Sequence, residues 1–383
     1  MSKGVDTGMQ DMEQISSADI PEMVERFRKT GQVVYFIGQP GTGKTQAVFH
    51  AARIIAKKMG LNYVDTPSLA DWSDPNNFCV GSIMASQIEE MDTKGVPTIE
   101  KMENGSKITI FTPTELFPRE GTGILFCDEF ANGRSSVQNA FQPIFLEHKS
   151  GSFKISANIQ FVLASNRPQD NCGTFNVPAA LRNRVAWFEV SPPPLEEWIS
   201  LMIKLNRAID PRITGFLLSV GSKYIGDDFD AKRNSYAYPS RRTLEMASEA
   251  IRGEKNFKMI KRLVGALLGA GAGFDLASFL ELSEKVNVDN LLNNPKEINK
   301  YLGDPGTLYS ICIALVDNGK DMARSEKVLN VLMALSADEF GLFVVQGMMR
   351  EYGPDGVMKR VNSAPNVGPQ LMNKYVHLIK AKD

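Results

Sequence analysis

Eight residues, Gly38 to Thr45 (Gly-Gln-Pro-Gly-Thr-Gly-Lys-Thr), constrain this chain more than any other stretch. Two glycines separated by four residues, then Lys and a hydroxyl residue, make a phosphate-loop pattern. The flanks agree with it. Gln32 to Ile37 reads as a short buried strand, and Gln46 to Met59 carries helical periodicity, so the order is strand, loop, helix. A plain Gly-rich turn needs no such context.

A triphosphate requires many donors in a small space, and glycines let successive backbone N–H groups converge on it. The start of the following helix adds its positive dipole end. Gly38, Gln39, Pro40, Gly41, Thr42, Gly43, Lys44, Thr45 and Gln46 are the expected cradle. Lys44 would reach the β- and γ-phosphates, and the Thr45 hydroxyl would take one position on Mg²⁺.

With 383 residues the chain has room for two or three domains. A formal net charge of −1 gives no global pull on nucleic acid or anionic lipid, so such contacts would need a local patch. Cys79, Cys127, Cys172 and Cys312 lack metal or redox spacing, and His50, His148 and His377 are far apart in sequence, which argues against zinc and for reduced thiols. Met1 to Gln14 has no apolar core of a signal peptide, and Leu263 to Phe274 is shorter than the roughly 20 residues of a membrane span. A cytoplasmic protein is expected, with Leu263 to Phe274 a close-packed helix or helix corner.

Along the chain, residues 1–18 read as a flexible arm, and Asp19 to Thr30 as a helix capped by Asp19 and ended by Gly31. Leu61 to Val64 suggests a strand, and Asp65 to Phe78 an irregular connection. Ser82 to Glu120 looks like an insertion, with Val96 to Glu100 and Ile108 to Thr112 as the arms of a hairpin around Asn104-Gly105. Gly123 to Phe126 is a second diagnostic strand, ending in Asp128-Glu129. There Asp128 would hold Mg²⁺, and Glu129 would orient the attacking water and take its proton. Arg134 to Glu147 reads as one helix, Ser150-Gly151-Ser152 as a hairpin tip, and Ile159 to Ala164 as a strand that delivers Asn166 beside the acid pair. An amide there can bond the γ-phosphate or the water, the alternative being a simple turn before Arg167-Pro168. Ala179 to Arg184 is a short helix before the strand Val185 to Val190, and Pro192-Pro193-Pro194 breaks the fold. Beyond it the chain is helical, with Pro239-Ser240 capping a helix from Arg241.

The set Gly38 to Thr45, Leu125 to Glu129, Asn166, Arg182/Arg184 and Arg241 resembles the AAA+ ATPases, and within them the MoxR-type branch. The phrases Gly121-Thr-Gly-Ile-Leu-Phe-Cys-Asp-Glu129, Phe161-Val-Leu-Ala-Ser-Asn-Arg-Pro168 and Pro178-Ala-Ala-Leu-Arg-Asn-Arg-Val185 carry the likeness, which spans roughly Gln32 to Arg252. It implies an α/β fold: a parallel-sheet αβα P-loop core over residues 19–192, an all-α lid over 193–275 and a helical C-terminal extension over 276–383. It further implies ATP as ligand, Asn166 as first sensor, Arg241 as second sensor, and one of two arginines as a finger completing a neighbour's site. Arg184 is favoured because it directly precedes a strand, with Arg182 in reserve. The two hairpins correspond to family insertions that face a ring's axial channel. Phe130-Ala131-Asn132-Gly133-Arg134 departs from the family's usual continuation of the acid pair.

Three functions follow as expectations. The first is an ATP-driven chaperone in a homo-oligomeric ring, a hexamer by family likeness, acting on a partner with a von Willebrand factor A domain. The second is a nucleic-acid motor, which the neutral charge and the lack of a basic, aromatic-interleaved stretch weaken. The third is a nucleotide-gated scaffold, disfavoured by the presence of Glu129.

Overall fold

The structure, a computed structural model, describes residues 12–170, 173–205, 207, 209–225, 236–283 and 288–379. These fall into two compact units, one running to Pro193 and the other from Pro194 onward.

In the first unit, β1 (Glu13–Ser16) and α1 (Ile20–Thr30) lead into β2 (Val33–Gly38) and α2 (Lys44–Met59). Next come β3 (Asn62–Asp65), α3 (Leu69–Ser73), β4 (Asn77–Met84), α4 (Glu90–Lys94), and the hairpin β5 (Val96–Lys101) with β6 (Lys107–Thr112). Then follow β7 (Gly123–Asp128), α5 (Ser135–Ala140), α6 (Gln142–Glu147), the small hairpin β8 (Lys149–Ser150) and β9 (Phe153–Lys154), β10 (Ile159–Ser165), α7 (Ala179–Arg182) and β11 (Val185–Ser191). Among the described residues seven strands form one parallel sheet in the order β1-β11-β2-β10-β7-β4-β3.

The central strands are largely apolar because both faces are covered. In β2, Val34 and Phe36 pack with Val48, Ala52 and Ile55 of α2 and with Ile20 and Val24 of α1. Val33, Tyr35 and Ile37 point the other way, into a core with Leu125, Cys127, Phe130, Phe141 and Phe161. Each fully buried Phe or Ile contributes roughly 1.5–3 kcal/mol relative to an exposed one, so these two layers fix the sheet. Arg28 fastens α1 across the sheet, donating to the carbonyls of Gly123 (3.0 Å) and Asn158 (3.2 Å).

Several elements differ from the sequence reading. The arm assigned to residues 1–18 instead includes β1, an edge strand paired with β11; residues 1–11 lie outside the described residues. Asp19 does not cap α1 with its side chain but accepts the N–H of Ser16 (3.0 Å). Asp65 to Phe78 is not irregular: a Ser68/Asp71 capping box starts α3, Trp72 is buried, and β4 begins at Asn77 and lies between β7 and β3. Arg134 to Glu147 is two helices, broken at Phe141 just before Pro143.

The second unit is helical: α8 (Leu195–Lys204), α9 (Pro211–Val220), α10 (Arg241–Ala250), α11 (Phe257–Leu268), α12 (Ala270–Ser283), α13 (Val288–Asn293), α14 (Pro305–Asn318), α15 (Met322–Ala334), α16 (Asp338–Asn362) and α17 (Gly368–Ile379). Ser240 caps α10 in a box with Thr243. Leu263 to Phe274 is the α11–α12 corner, turning at Gly269. A division at 275/276 falls inside α12, and the later helices are fastened to the earlier ones: Arg350 of α16 donates to the Ser248 hydroxyl of α10 (2.6 Å). Among the described residues no helix is long and apolar enough to cross a membrane. Cys79, Cys127 and Cys312 are buried free thiols, and Cys172 lies outside the described residues.

Candidate active site

Strand β2 ends at Gly38, where a Cβ would lie 2.3 Å from the Val190 carbonyl oxygen, so only glycine lets β11 pass this close. The loop then turns through Gly41 (φ 79°) and Gly43 (φ 88°), left-handed conformations that disfavour other residues. Helix α2 starts at Lys44 with Gly43 as its N-cap and no side-chain cap, so its first-turn N–H groups face the loop. Lys44 is 7% exposed, and its ammonium donates to the carbonyls of Gly38 (2.8 Å) and Gln39 (2.9 Å). Thr42 donates to the Gln39 carbonyl (3.1 Å), which tightens the same turn. Dipole, amides and ammonium meet at one loop.

Parallel pairing brings the acid pair to that loop. The Thr45 hydroxyl donates to Asp128 Oδ2 at 2.7 Å, and Asp128 Oδ1 accepts the Glu129 N–H (2.9 Å). Glu129 sits at φ 51°, an uncommon conformation for a non-glycine residue, and begins the 3-10 turn Phe130–Asn132. Its Oε2 accepts the Ser86 hydroxyl at 2.9 Å. Ser86 lies in the turn Ala85–Gln87 just after β4, beside the end of β7. Below the pair, burial and then the Asp128 charge push the Cys127 thiol far up, which keeps it protonated and inert.

Asn166 is the next residue after β10. Ser165 pairs with Ile37 of β2, and Leu163 with Cys127 of β7, so Asn166 stands beside Gly38 on one side and the acid pair on the other. Beneath it the Tyr35 and Ser165 hydroxyls share a buried hydrogen bond (2.8 Å), and burial raises the Tyr35 phenol well above its ordinary value. The sequence-derived Lys44, Thr45, Asp128, Glu129 and Asn166 therefore gather at the carboxyl ends of three adjacent strands.

The arginines belong to other elements. Arg182 ends α7 and Arg184 precedes β11; both are exposed, and neither forms an ion pair among the described residues. Arg241 belongs to the helical unit, where it is 4% exposed, lies 5.1 Å from the Trp198 ring centre and donates to the Ile225 carbonyl (3.4 Å). Sequence reasoning missed two groups, Ser86 and the Arg167–Asp170 pair. Ser86 carries no local signal because its partner is 43 residues away.

The donor set fits Mg²⁺. A hydroxyl and a carboxylate oxygen already meet at Thr45 and Asp128, and the described residues hold no cluster of three His, Cys, Asp or Glu that would cage a metal alone. Mg²⁺ is held in this sparse way where phosphates and waters complete its shell.

No protein-family model matches the sequence, and no curated protein matches it. Solved structures align with most of the chain at low sequence identity. NtrX from Brucella abortus shares 14% identity over 98% of this chain and 69% of its own, with a TM-score of 0.36. A RuvB variant from Thermotoga maritima shares 14% over 86% of each chain, with a TM-score of 0.30. Cdc6p from Pyrobaculum aerophilum shares 13% over 95% of this chain and 92% of its own, with a TM-score of 0.29.

Proposed function

We propose that the chain is an ATP-hydrolysing AAA+ remodelling motor of MoxR type that works as a ring, a hexamer by family likeness, on a protein partner. The observation that supports it is the meeting of Lys44, Thr45, Asp128, Glu129 and Asn166 at one end of the sheet, with Thr45 and Asp128 in contact at 2.7 Å. On ATP binding, Lys44 exchanges the Gly38 and Gln39 carbonyls for the β- and γ-phosphates, and the amides of Gly41 to Gln46 wrap the phosphate chain. Mg²⁺ held by Thr45 and Asp128 would neutralise charge on the phosphate oxygens. Glu129 orients a water in line with the γ-phosphate and takes its proton, while the Asn166 amide fixes the water or the phosphate. Steady-state ATP turnover of the purified chain tests this directly: a rate equal to that of the Lys44→Ala chain rules the motor out.

Arg184 supplies the neighbour's site with a guanidinium, Arg182 being the reserve. A cation delivered across an interface to the charged transition state is worth a large share of the rate, so each site is complete only in an assembly. Arg184→Ala mixed with Lys44→Ala should recover a measurable fraction of turnover that neither shows alone. Recovery with Arg182→Ala instead would move the finger.

Arg241 acts as second sensor by leaving the Trp198 face for the γ-phosphate. Arg241→Met should then lower turnover by roughly tenfold or more, about 1.4 kcal/mol on the barrier, while α10 still folds around its Ser240 cap. Unchanged turnover would confine Arg241 to packing. The partner carries a von Willebrand factor A domain, as the MoxR likeness implies, and protein captured by a hydrolysis-deficient chain identifies it.

A further inference from the structure

We propose that Arg167 and Asp170 are positioning residues that clamp the turn after β10 and so hold the Asn166 amide in register with the γ-phosphate. This rests on the reading of Asn166 given above. The chain reverses immediately after Asn166, and the Asp170 carboxylate grips that reversal from several directions. Its Oδ2 accepts the Arg167 backbone N–H (3.2 Å), and the Arg167 carbonyl accepts the Asp170 N–H (3.1 Å). The Arg167 guanidinium returns to the same carboxylate through Nε (3.2 Å to Oδ2) and Nη2 (2.8 Å to Oδ1). Asp170 is 3% exposed. Arg167 Nη1 also lies 3.7 Å from Glu189 of β11, and Glu189 in turn accepts Gln14 of β1 (3.2 Å). On the other side of Asn166, Ser165 is tied to Tyr35.

Asn166 is thus one residue from a closed ionic ring on its carboxyl side and directly follows a fixed strand residue. Stability alone is a poor reason for this construction. Desolvating both charges costs several kcal/mol, and well-packed apolar residues commonly serve as well or better. Geometry is a better reason, since a displacement of about 1 Å in a reacting group can cost on the order of a hundredfold in rate. A bidentate guanidinium–carboxylate pair fixes both distance and plane, which an apolar contact does not.

The test compares ATP turnover, KM, binding of a fluorescent ATP analogue and thermal unfolding for the native chain, Arg167→Met/Asp170→Leu, Asn166→Ala and the triple variant. The pair replacement should melt within about 2–4 °C of the native chain, bind the analogue within about twofold, and lose roughly tenfold or more in kcat with KM little changed. In the Asn166→Ala background the same replacement should cost nothing further, because both changes remove one function. Native kcat in the pair variant, or losses that multiply in the triple variant, overturns the proposal and leaves the pair structural. Should the pair variant fail to fold, Asp170→Asn keeps the shape and one acceptor; a fall of about threefold in kcat at unchanged KM is expected, and a native kcat overturns the proposal. Full activity in Asn166→Ala removes the reading of Asn166 itself, and this inference with it.

Discussion

Lys44→Ala should weaken ATP binding by at least about a hundredfold, roughly 2.7 kcal/mol, and abolish turnover at ordinary nucleotide concentrations. Lys44 is the one cation in the Gly38 to Gln46 loop, and the cradle otherwise offers neutral amides and a helix dipole to a polyanion. The effect falls well short of the Coulomb attraction at contact because the native ammonium already donates to the Gly38 and Gln39 carbonyls. Binding replaces those two bonds, and only the difference counts. The same reasoning predicts that the variant stays folded. Its removed side chain is 7% exposed and donates to two carbonyls of the loop turn, which water can satisfy in its place. Calorimetric titration with ATP and Mg²⁺ against a thermal melt separates the two effects. Affinity within about threefold of native would mean that the loop does not grip phosphate.

The parts legible in the sequence were those encoded by local pattern. Val33–Gly38, Gly123–Asp128 and Ile159–Ser165 are largely apolar runs that give way abruptly to glycine, acid or, at Asn166, amide, so both strand and strand end could be read. The hairpin β5–β6 announced itself through Asn104-Gly105. Strand β4 was missed because its buried run Phe78-Cys79-Val80 is preceded by Asn76-Asn77 and followed by Gly81, polar and glycine signals that locally mark a loop. It is a strand because β7 and β3 pair with it, and Gly81 fits there because a Cβ would press on Leu125 and Trp72. Strand β1 has little apolar surface and exists because β11 offers it a free edge. The site divides in the same way. Lys44, Thr45 and Asp128 follow from motif positions, whereas Ser86 reaches Glu129 only through the pairing of β4 with β7. The grip of Asp170 on Arg167 is close in sequence, yet Arg-Pro-Gln-Asp reads equally well as a solvated turn until its burial is known.

Glu129→Gln should leave nucleotide affinity within about twofold of native while lowering kcat by roughly a hundredfold to ten-thousandfold, the usual contribution of a positioned base. Gln has the same shape and can still accept the Ser86 hydroxyl with its amide oxygen, so the turn at φ 51° and the contact that holds the side chain both survive. Thr45 and Asp128 stay within hydrogen-bond distance, so the part in metal and phosphate binding proposed for them should be kept. What disappears is an oxygen basic enough to receive the proton of the attacking water. A loss confined to kcat therefore separates Glu129 from Asp128, whose removal should weaken Mg²⁺-dependent binding as well. If Glu129→Gln keeps more than about a third of native turnover, Glu129 is not the base, since so small a loss is under 1 kcal/mol on the barrier. If it behaves as expected, the chain persists in its ATP-bound form. A partner that binds this state and is released on hydrolysis then accumulates on it, and its disappearance in a Lys44→Ala control shows that nucleotide is what recruits it.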